Sequence, residues 1–347
     1  MSQEPHAYQV TQRDVAKALG ISHSSVSLAL RNSPKITLAR REAIRKKAEE
    51  MGYQPNSAAT ALAHYKQFSA VPPVRAALAW MNLWSPPEKL WSFSEFAHYW
   101  KGASAAAEKL GYHLEEFIGD SRISLPRLEK IFLARGIKGI LLPPHQTTPD
   151  WGSFAWKHFS IVRYGRSLQA PRVHRVAADQ VANTILAFNE IQARGYQRIG
   201  FLTGTAGQRG HLFEAGFLMA QRFANESLRI PIFNVGDPSS RCVPELRRWI
   251  KREKPEAILT DLVEALDLLK EAGYRVPEDI ALAATSVLDG TVDSGIYQNP
   301  EEIGRIGVLL AASLITDNDG GIPKFPRQTL VEGDWVDGSS LPRRTSP

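Results

Sequence analysis

The chain has 347 residues, 43% of them hydrophobic and 22% charged, and a formal net charge of +6. That length allows two or three domains with sizeable cores in an ordinary globular composition. One cysteine, Cys242, excludes an internal disulfide framework and a zinc cluster, and no apolar run is long enough to span a bilayer, so no membrane partner is expected.

Met1 to Gln9 hold no apolar core flanked by basic residues, so no secretory signal is read and a cytoplasmic location is expected. The charge is uneven: through Gln67 there are ten Lys/Arg against five Asp/Glu, leaving 32 against 31 of the totals of 42 and 36. A basic amino-terminal head on a neutral body fits phosphate binding by counterion release, whereas Arg40 to Lys47 alone would also fit a solvated basic helix.

Thr11 has helix-start chemistry, with Asp14 three residues on as a near-match to a capping box and Val15, Ala16 and Leu19 on one face. Gly20 stops this helix and Ile21-Ser22 makes a turn. A second helix, from about His23 to Leu30, turns Val26, Ala29 and Leu30 inward and leaves His23, Ser24, Ser27 and Leu28 outside. Two short helices joined through a glycine turn form a helix-turn-helix, whose second helix enters the major groove of double-stranded DNA. After Asn32-Ser33-Pro34, Thr37 is expected to cap a third helix, Leu38 to Met51, which carries Arg40, Arg41, Arg45, Lys46 and Lys47 and ends at Gly52.

The residues Asp14-Val15-Ala16, Gly20-Ile21-Ser22, Val26-Ser27, Arg41-Glu42, Gly52-Tyr53, Pro55-Asn56 and Leu62-Ala63 follow one another in a familiar order and spacing. They resemble the head and hinge of the LacI/GalR family of bacterial transcription regulators. The resemblance implies a homodimer on a pseudo-palindromic operator, with a hinge helix after Pro55-Asn56 that orders on DNA and pairs with its mate. It also implies that Leu62 is pushed into the minor groove, with Ala59 and Ala63 small enough to let two hinges approach; such a wedge costs unstacking and is offset by contacts on the kinked duplex. The expected base readers are His23, Ser24, Ser27 and Leu28, and the expected phosphate holders are Thr37, Arg40, Tyr53 and Asn56. Leu28 departs from the family pattern, which usually has arginine there; leucine cannot hydrogen-bond guanine but can lie against a thymine methyl.

His64 to Pro73 reads as a linker, stiffened by Pro72-Pro73. Beyond it, strands at Arg75–Trp80, Tyr112–Phe117, Ile137–Leu142 and Ser160–Tyr164 alternate with helices at Ser94–Leu110 and Leu125–Arg135. A second set places helices at Asp179–Arg194, Leu212–Asn225, Glu245–Glu253 and Leu262–Ala272, and strands at Arg198–Thr203, Arg229–Val235, Ala257–Thr260 and Ile280–Thr285. Alternation with short connections predicts two parallel sheets covered by helices, with ligand between their carboxyl ends. The fold expected is therefore an all-α helix-turn-helix head (1–56), a hinge and linker (57–73) and an α/β periplasmic-binding-protein-like body (74–340). The body divides into subdomain one, about 74–168 and 298–327, and subdomain two, about 169–297 and 328–340. The resemblance extends to the body through Arg194-Gly195-Tyr196, Ala272-Gly273-Tyr274-Arg275-Val276-Pro277 and the helix Pro300 to Ile315 after Gln298, and it implies a small-molecule effector.

Candidate effector contacts are Asp179 and Asp261, whose carboxylates suit sugar hydroxyls, Trp84 and Trp91, whose flat faces suit a sugar ring, and Arg209 and Gln298. Asp179 fits a helix cap equally well. Two departures count against a saccharide: Phe213 stands where the family commonly has a ligand-clamping arginine, and Thr285-Ser286-Val287-Leu288-Asp289 replaces its glycine-aspartate signature. Two effector readings stay open, an unusual saccharide and a cleft without ligand control. No Gly-x-Ser-x-Gly elbow, His-Glu-x-x-His pair or phosphate loop argues for an enzyme, and no metal or cofactor is expected. Asp337 to Pro347 shows no leucine heptad, which leaves a dimer rather than a tetramer as the expectation.

Overall fold

The computed structural model describes residues 10–30, 35–53, 76–119, 123–145, 147–204, 207–236, 242–288, 290 and 292–344, without the side chains of 13 and 207–210. The head is three helices, α1 (Gln12–Leu19), α2 (His23–Leu30) and α3 (Leu38–Glu50). The capping box is complete: Thr11 Oγ1 accepts from the Asp14 N–H at 3.4 Å and the Asp14 carboxylate from the Thr11 N–H at 2.8 Å. Gly20, at φ 63°, lets the chain reverse after α1, a conformation that costs glycine nothing. Val15, Ala16, Val26, Ala29, Ile44 and Ala48 close a small core among the three helices. Thr37 differs from expectation: it precedes α3 without a side-chain cap bond, at φ −59° and ψ 150°. Ser22 supplies an unexpected cap instead, its Oγ accepting from the Ser25 N–H at 3.2 Å at the start of α2.

In the body, β1 (Ala76–Asn82), β2 (Tyr112–Ile118), β3 (Gly139–Leu142), β4 (Ser160–Tyr164), β5 (His174–Ala178) and β11 (Gln328–Val331) form one parallel sheet in the order β11-β5-β4-β3-β1-β2. The strand period of two sends Leu78 and Trp80 to one face and Ala79 and Met81 to the other. The first face is covered by α4 (Ser94–Lys109) and α10 (Pro300–Asp317), the second by α5 (Leu125–Ala134). Helices α4 and α10 touch backbone to backbone. A Cβ at Gly304 would stand 2.0 Å from the Tyr99 carbonyl oxygen, and one at Gly102 would stand 1.8 Å from that of Glu301. Tyr164, buried beneath them, donates its hydroxyl to the Gly304 carbonyl at 2.9 Å.

The second sheet contains β6 (Ile199–Thr203), β7 (Phe233–Asn234), β8 (Ala257–Thr260), β9 (Ala281–Ala284), β10 (Gly295–Tyr297) and β12 (Asp334–Val336), in the order β12-β10-β9-β8-β6-β7. Only β12 is antiparallel, to β10. Around it lie α6 (Gln180–Ala193), α7 (Gly207–Arg222), α8 (Val243–Glu253) and α9 (Ala265–Glu271). One face buries Phe188, Phe201, Phe213 and Phe217, and the other buries Leu202, Ile258, Leu246 and Trp249.

Strands β5, β10, β11 and β12 were not expected. Because β5 and β11 pair within the first sheet, the chain leaves that sheet after Ala178 and after Val331, later than the expected changes at 168 and 327. The strand expected over Arg229–Val235 shrinks to two residues, and α7 begins five residues before the expected Leu212.

Candidate nucleic-acid interface and ligand cleft

On α2, His23 and Ser24 are exposed and Ser27 and Leu28 are half-buried, while Val26 and Ala29 fill the core behind them. The expected readers therefore share the side of α2 that the head does not use for packing. Thr37 and Arg40 are exposed. Tyr53 is half-buried and its hydroxyl accepts from Gln12 Nε2 at 3.0 Å, which ties the end of the head to the start of α1. Asn56, Ala59 and Leu62 lie outside the described residues.

Three crossovers join the two sheets: β5 into α6, β10 into α10, and β11 into β12. The first two leave from the carboxyl ends of parallel strands, so the carboxyl edges of the sheets face one another, the geometry of a ligand cleft. The crossovers are stitched together: the Asp179 N–H donates to the Val331 carbonyl at 2.9 Å and the Gly333 N–H to Asn183 Oδ1 at 2.7 Å. Asn299 Nδ2 in turn donates to the Glu332 carbonyl at 3.0 Å.

Asp179 caps α6, one carboxylate oxygen accepting from the Ala182 N–H at 3.0 Å. Asp261 follows β8 and accepts from the Thr203 hydroxyl at 3.1 Å, locking the carboxyl ends of β8 and β6. Gln298, 1% exposed, donates to the Thr285 carbonyl at 2.7 Å, while its own carbonyl oxygen is buried without a hydrogen-bond partner among the described residues. Trp84 sits just past β1, 6% exposed, with its indole N–H on the Pro144 carbonyl at 2.8 Å and its ring stacked over His145. Trp91 is placed elsewhere: its indole N–H donates to Glu116 at 3.1 Å and its ring lies against Trp80 and Trp100, a packing role on the β2 side of the sheet. Arg209 has no described side chain. Phe213, 1% exposed, belongs to the second sheet's core, which explains why no clamp arises at that position.

Sequence reasoning gave His145 no role, yet it links the ends of β1 and β3. Its Nδ1–H donates to the Pro143 carbonyl at 2.7 Å and its Nε2 accepts from the Leu83 N–H at 3.1 Å, so the ring is neutral. Burial holds its pKa down at about 4, against the raising effect of the Pro143 carbonyl. The folded value lies below the unfolded one of about 6.5, so the stabilisation is complete above that pH and is lost as pH falls toward 4. We expect about 2 kcal/mol to be lost between pH 7.5 and 5, and a smaller loss in His145→Gln. Urea unfolding of both proteins at the two pH values measures it, and equal slopes would remove His145 as the cause.

Residues 11–56 match the family model of bacterial regulatory proteins of the lacI family, and residues 188–341 match that of the periplasmic binding protein-like domain. The chain carries a LacI-family helix-turn-helix head and a periplasmic binding protein-like domain. It is similar to the HTH-type transcriptional regulator CelR of Thermobifida fusca, 26% identical over 323 residues that span 87% of this chain and 91% of CelR. It is also similar to MalR of Streptococcus pneumoniae serotype 4, 26% identical over 199 residues, 56% of this chain and 57% of MalR. Among solved structures, a CelR–cellobiose complex superposes with a TM-score of 0.56 at 21% identity, covering 96% of this chain and 100% of that one. The lac repressor dimer bound to operator superposes with a TM-score of 0.51 at 18% identity, over 96% and 100%. These likenesses establish the LacI-family fold, and the relatives are transcription regulators by name. Among the described residues no helix is long and apolar enough to cross a membrane.

Proposed function

We propose that this LacI-family DNA-binding regulator acts in the cytoplasm as a homodimeric repressor of a pseudo-palindromic operator, and that a saccharide between its two sheets sets its DNA affinity. The observation that carries the reading is a basic three-helix head, whose second helix turns His23, Ser24, Ser27 and Leu28 away from the head core, joined to a body whose carboxyl edges oppose each other across three crossovers. Residues 1–56 form the head, 57–73 the hinge and linker, and 74–340 the body. His23, Ser24, Ser27 and Leu28 read bases, and Thr37, Arg40, Tyr53 and Asn56 hold phosphates. A saccharide as effector is supported by the cellobiose complex of the CelR relative and by Trp84 at the cleft end of β1. Trp84, Asp179, Asp261, Arg209 and Gln298 are the candidates to line the pocket; Trp91 is assigned to packing.

Selection of bound sites from random duplex DNA, at a stated salt concentration and with and without cellobiose and a sugar panel, tests this. A two-half-site motif whose occupancy changes with one sugar supports it, and the direction of change separates inducer from co-repressor; the coupling expected is ~1–3 kcal/mol. No motif under any condition would overturn it. Phe213 in the core favours a second reading, an effector-independent regulator, which predicts the same motif and equal occupancy throughout.

The hinge makes its own prediction. Leu62→Ala is expected to weaken operator binding at least tenfold while leaving binding to random DNA within about twofold, since only specific binding kinks the duplex. Equal losses in fluorescence anisotropy titrations on the two DNAs would remove the wedge.

A further inference from the structure

Strand β4 carries Arg163 within an otherwise apolar run, and in the register of the first sheet its Cα lies opposite that of Arg175 on β5. Adjacent strands stand about 4.8 Å apart, so these two guanidinium stems leave the same face side by side, a pairing that like charges disfavour. Arg166, in the turn after β4, and Arg172, before β5, bring the site to four arginines whose charges act on one another.

Arg163 is 8% exposed; its Nη1 donates to the Leu168 carbonyl at 2.5 Å, and its Nε is buried without a partner among the described residues. Arg175 donates to Gln328 on β11, and its Nε is likewise buried without a partner. Arg166 Nε donates to Gln180 Oε1 at 2.8 Å. No carboxylate among the described residues makes an ion pair with any of the four, and Asp179 is the acidic group acting on Arg166. Burial, then the neighbouring Arg166 and Arg163, pushes the Arg175 pKa down to about 10.

Buried cations ordinarily meet anions, because desolvation is recovered only through charge-assisted hydrogen bonds. Here the donors are built and no carboxylate among the described residues supplies the anion. We propose that Arg163, Arg166, Arg172 and Arg175 form a binding site for a small phosphate-bearing ligand, either inorganic phosphate or a phosphoester. Guanidinium forks match phosphate oxygens bidentately, and two free Nε–H groups with a third arginine at the rim give the donors a tetrahedral dianion requires. Gln180, the first residue of α6, sits directly on Arg166, so a ligand here touches the first crossover between the sheets. The site adjoins Asp179, a candidate of the saccharide pocket, through Arg166 and Gln180, and its test leaves the operator reading untouched.

The experiment is calorimetric titration and thermal unfolding of the full-length protein with sodium phosphate, glucose 6-phosphate and glucose, at ionic strength matched with chloride. Wild type is expected to bind a phosphate-bearing probe and to melt several degrees higher with it, with no such rise from glucose. Tighter binding of glucose 6-phosphate assigns the site to a phosphoester, and equal or tighter binding of inorganic phosphate assigns it to the free ion. The double variant Arg163→Met with Arg175→Gln is expected to melt at or above the ligand-free wild type, because the repulsion is gone, and to bind at least tenfold more weakly. Arg172→Gln, an exposed change that leaves the sheet intact, is expected to weaken binding severalfold and covers the case in which the double variant does not fold. Absence of binding by wild type, or unchanged affinity in Arg172→Gln and any folded double variant, would overturn the proposal.

Discussion

Replacing Leu28 with arginine is expected to move the preferred base pair at one position of each half-site toward guanine, by about ten- to hundredfold in relative affinity. The magnitude follows from the roughly 1–3 kcal/mol of discrimination in a bidentate arginine–guanine pair. Leu28 lies on α2 beside the exposed His23 and Ser24 and outside the head core of Val26 and Ala29, so a longer side chain has somewhere to go without repacking. Wild type should favour a pair with a thymine methyl there, because leucine offers apolar contact and no hydrogen bond. Parallel site selections with the two proteins measure this. An unchanged preference would move Leu28 out of the base-reading set and leave His23 and Ser24 to carry it.

The second large effect is on the body. Gly304→Leu is expected to cost about 3 kcal/mol or more, since even a methyl at this position meets the Tyr99 carbonyl oxygen at 2.0 Å and two helix backbones would have to part. Separation would also break the bond from the buried Tyr164 hydroxyl to the Gly304 carbonyl. Ser313→Leu, on the exposed side of the same helix, should stay within about 0.5 kcal/mol. Chemical denaturation of the two variants against wild type distinguishes a close-packed seam from a helix that tolerates bulk all round. Similar small losses would show that α4 and α10 can separate cheaply.

Much of this arrangement was legible in the chain. The head was readable because its signals are local: Thr11 and Asp14 are three residues apart, Gly20 marks the turn, and Val15, Val26 and Ala29 fall on one side of short helices. The buried parallel strands were readable as short apolar runs between helices. What escaped was structure encoded by distant pairing. β5 opens with His174 and Arg175, which break the apolar pattern, and it becomes a strand through β4 on one side and β11 on the other. β10 and β12 have three residues each and exist through their mutual ladder.

The cleft followed the same division. Sequence placed Trp84 near the end of β1, but it could not separate it from Trp91, whose place is decided by Trp80 and Trp100 closing around it. Asp179 suits a cap and a ligand equally in the sequence, and the structure shows the cap, one carboxylate oxygen accepting from the Ala182 N–H. A signal for the arginine site was present in Arg163, a charged residue inside a strand read as buried, and such a residue demands a partner.

The seam between α4 and α10 also bears on how a signal could leave the body. Strand β1, which the chain enters on arrival from the head, lies beneath that seam between β2 and β3. Two helix backbones interlocked above it leave the first sheet little freedom to flex, and β1 is the strand by which the chain enters that sheet. In the proposed dimer, a change at the crossovers is then expected to move this sheet as one body and to alter the spacing of the two points from which the heads are held, with the internal structure of each head untouched.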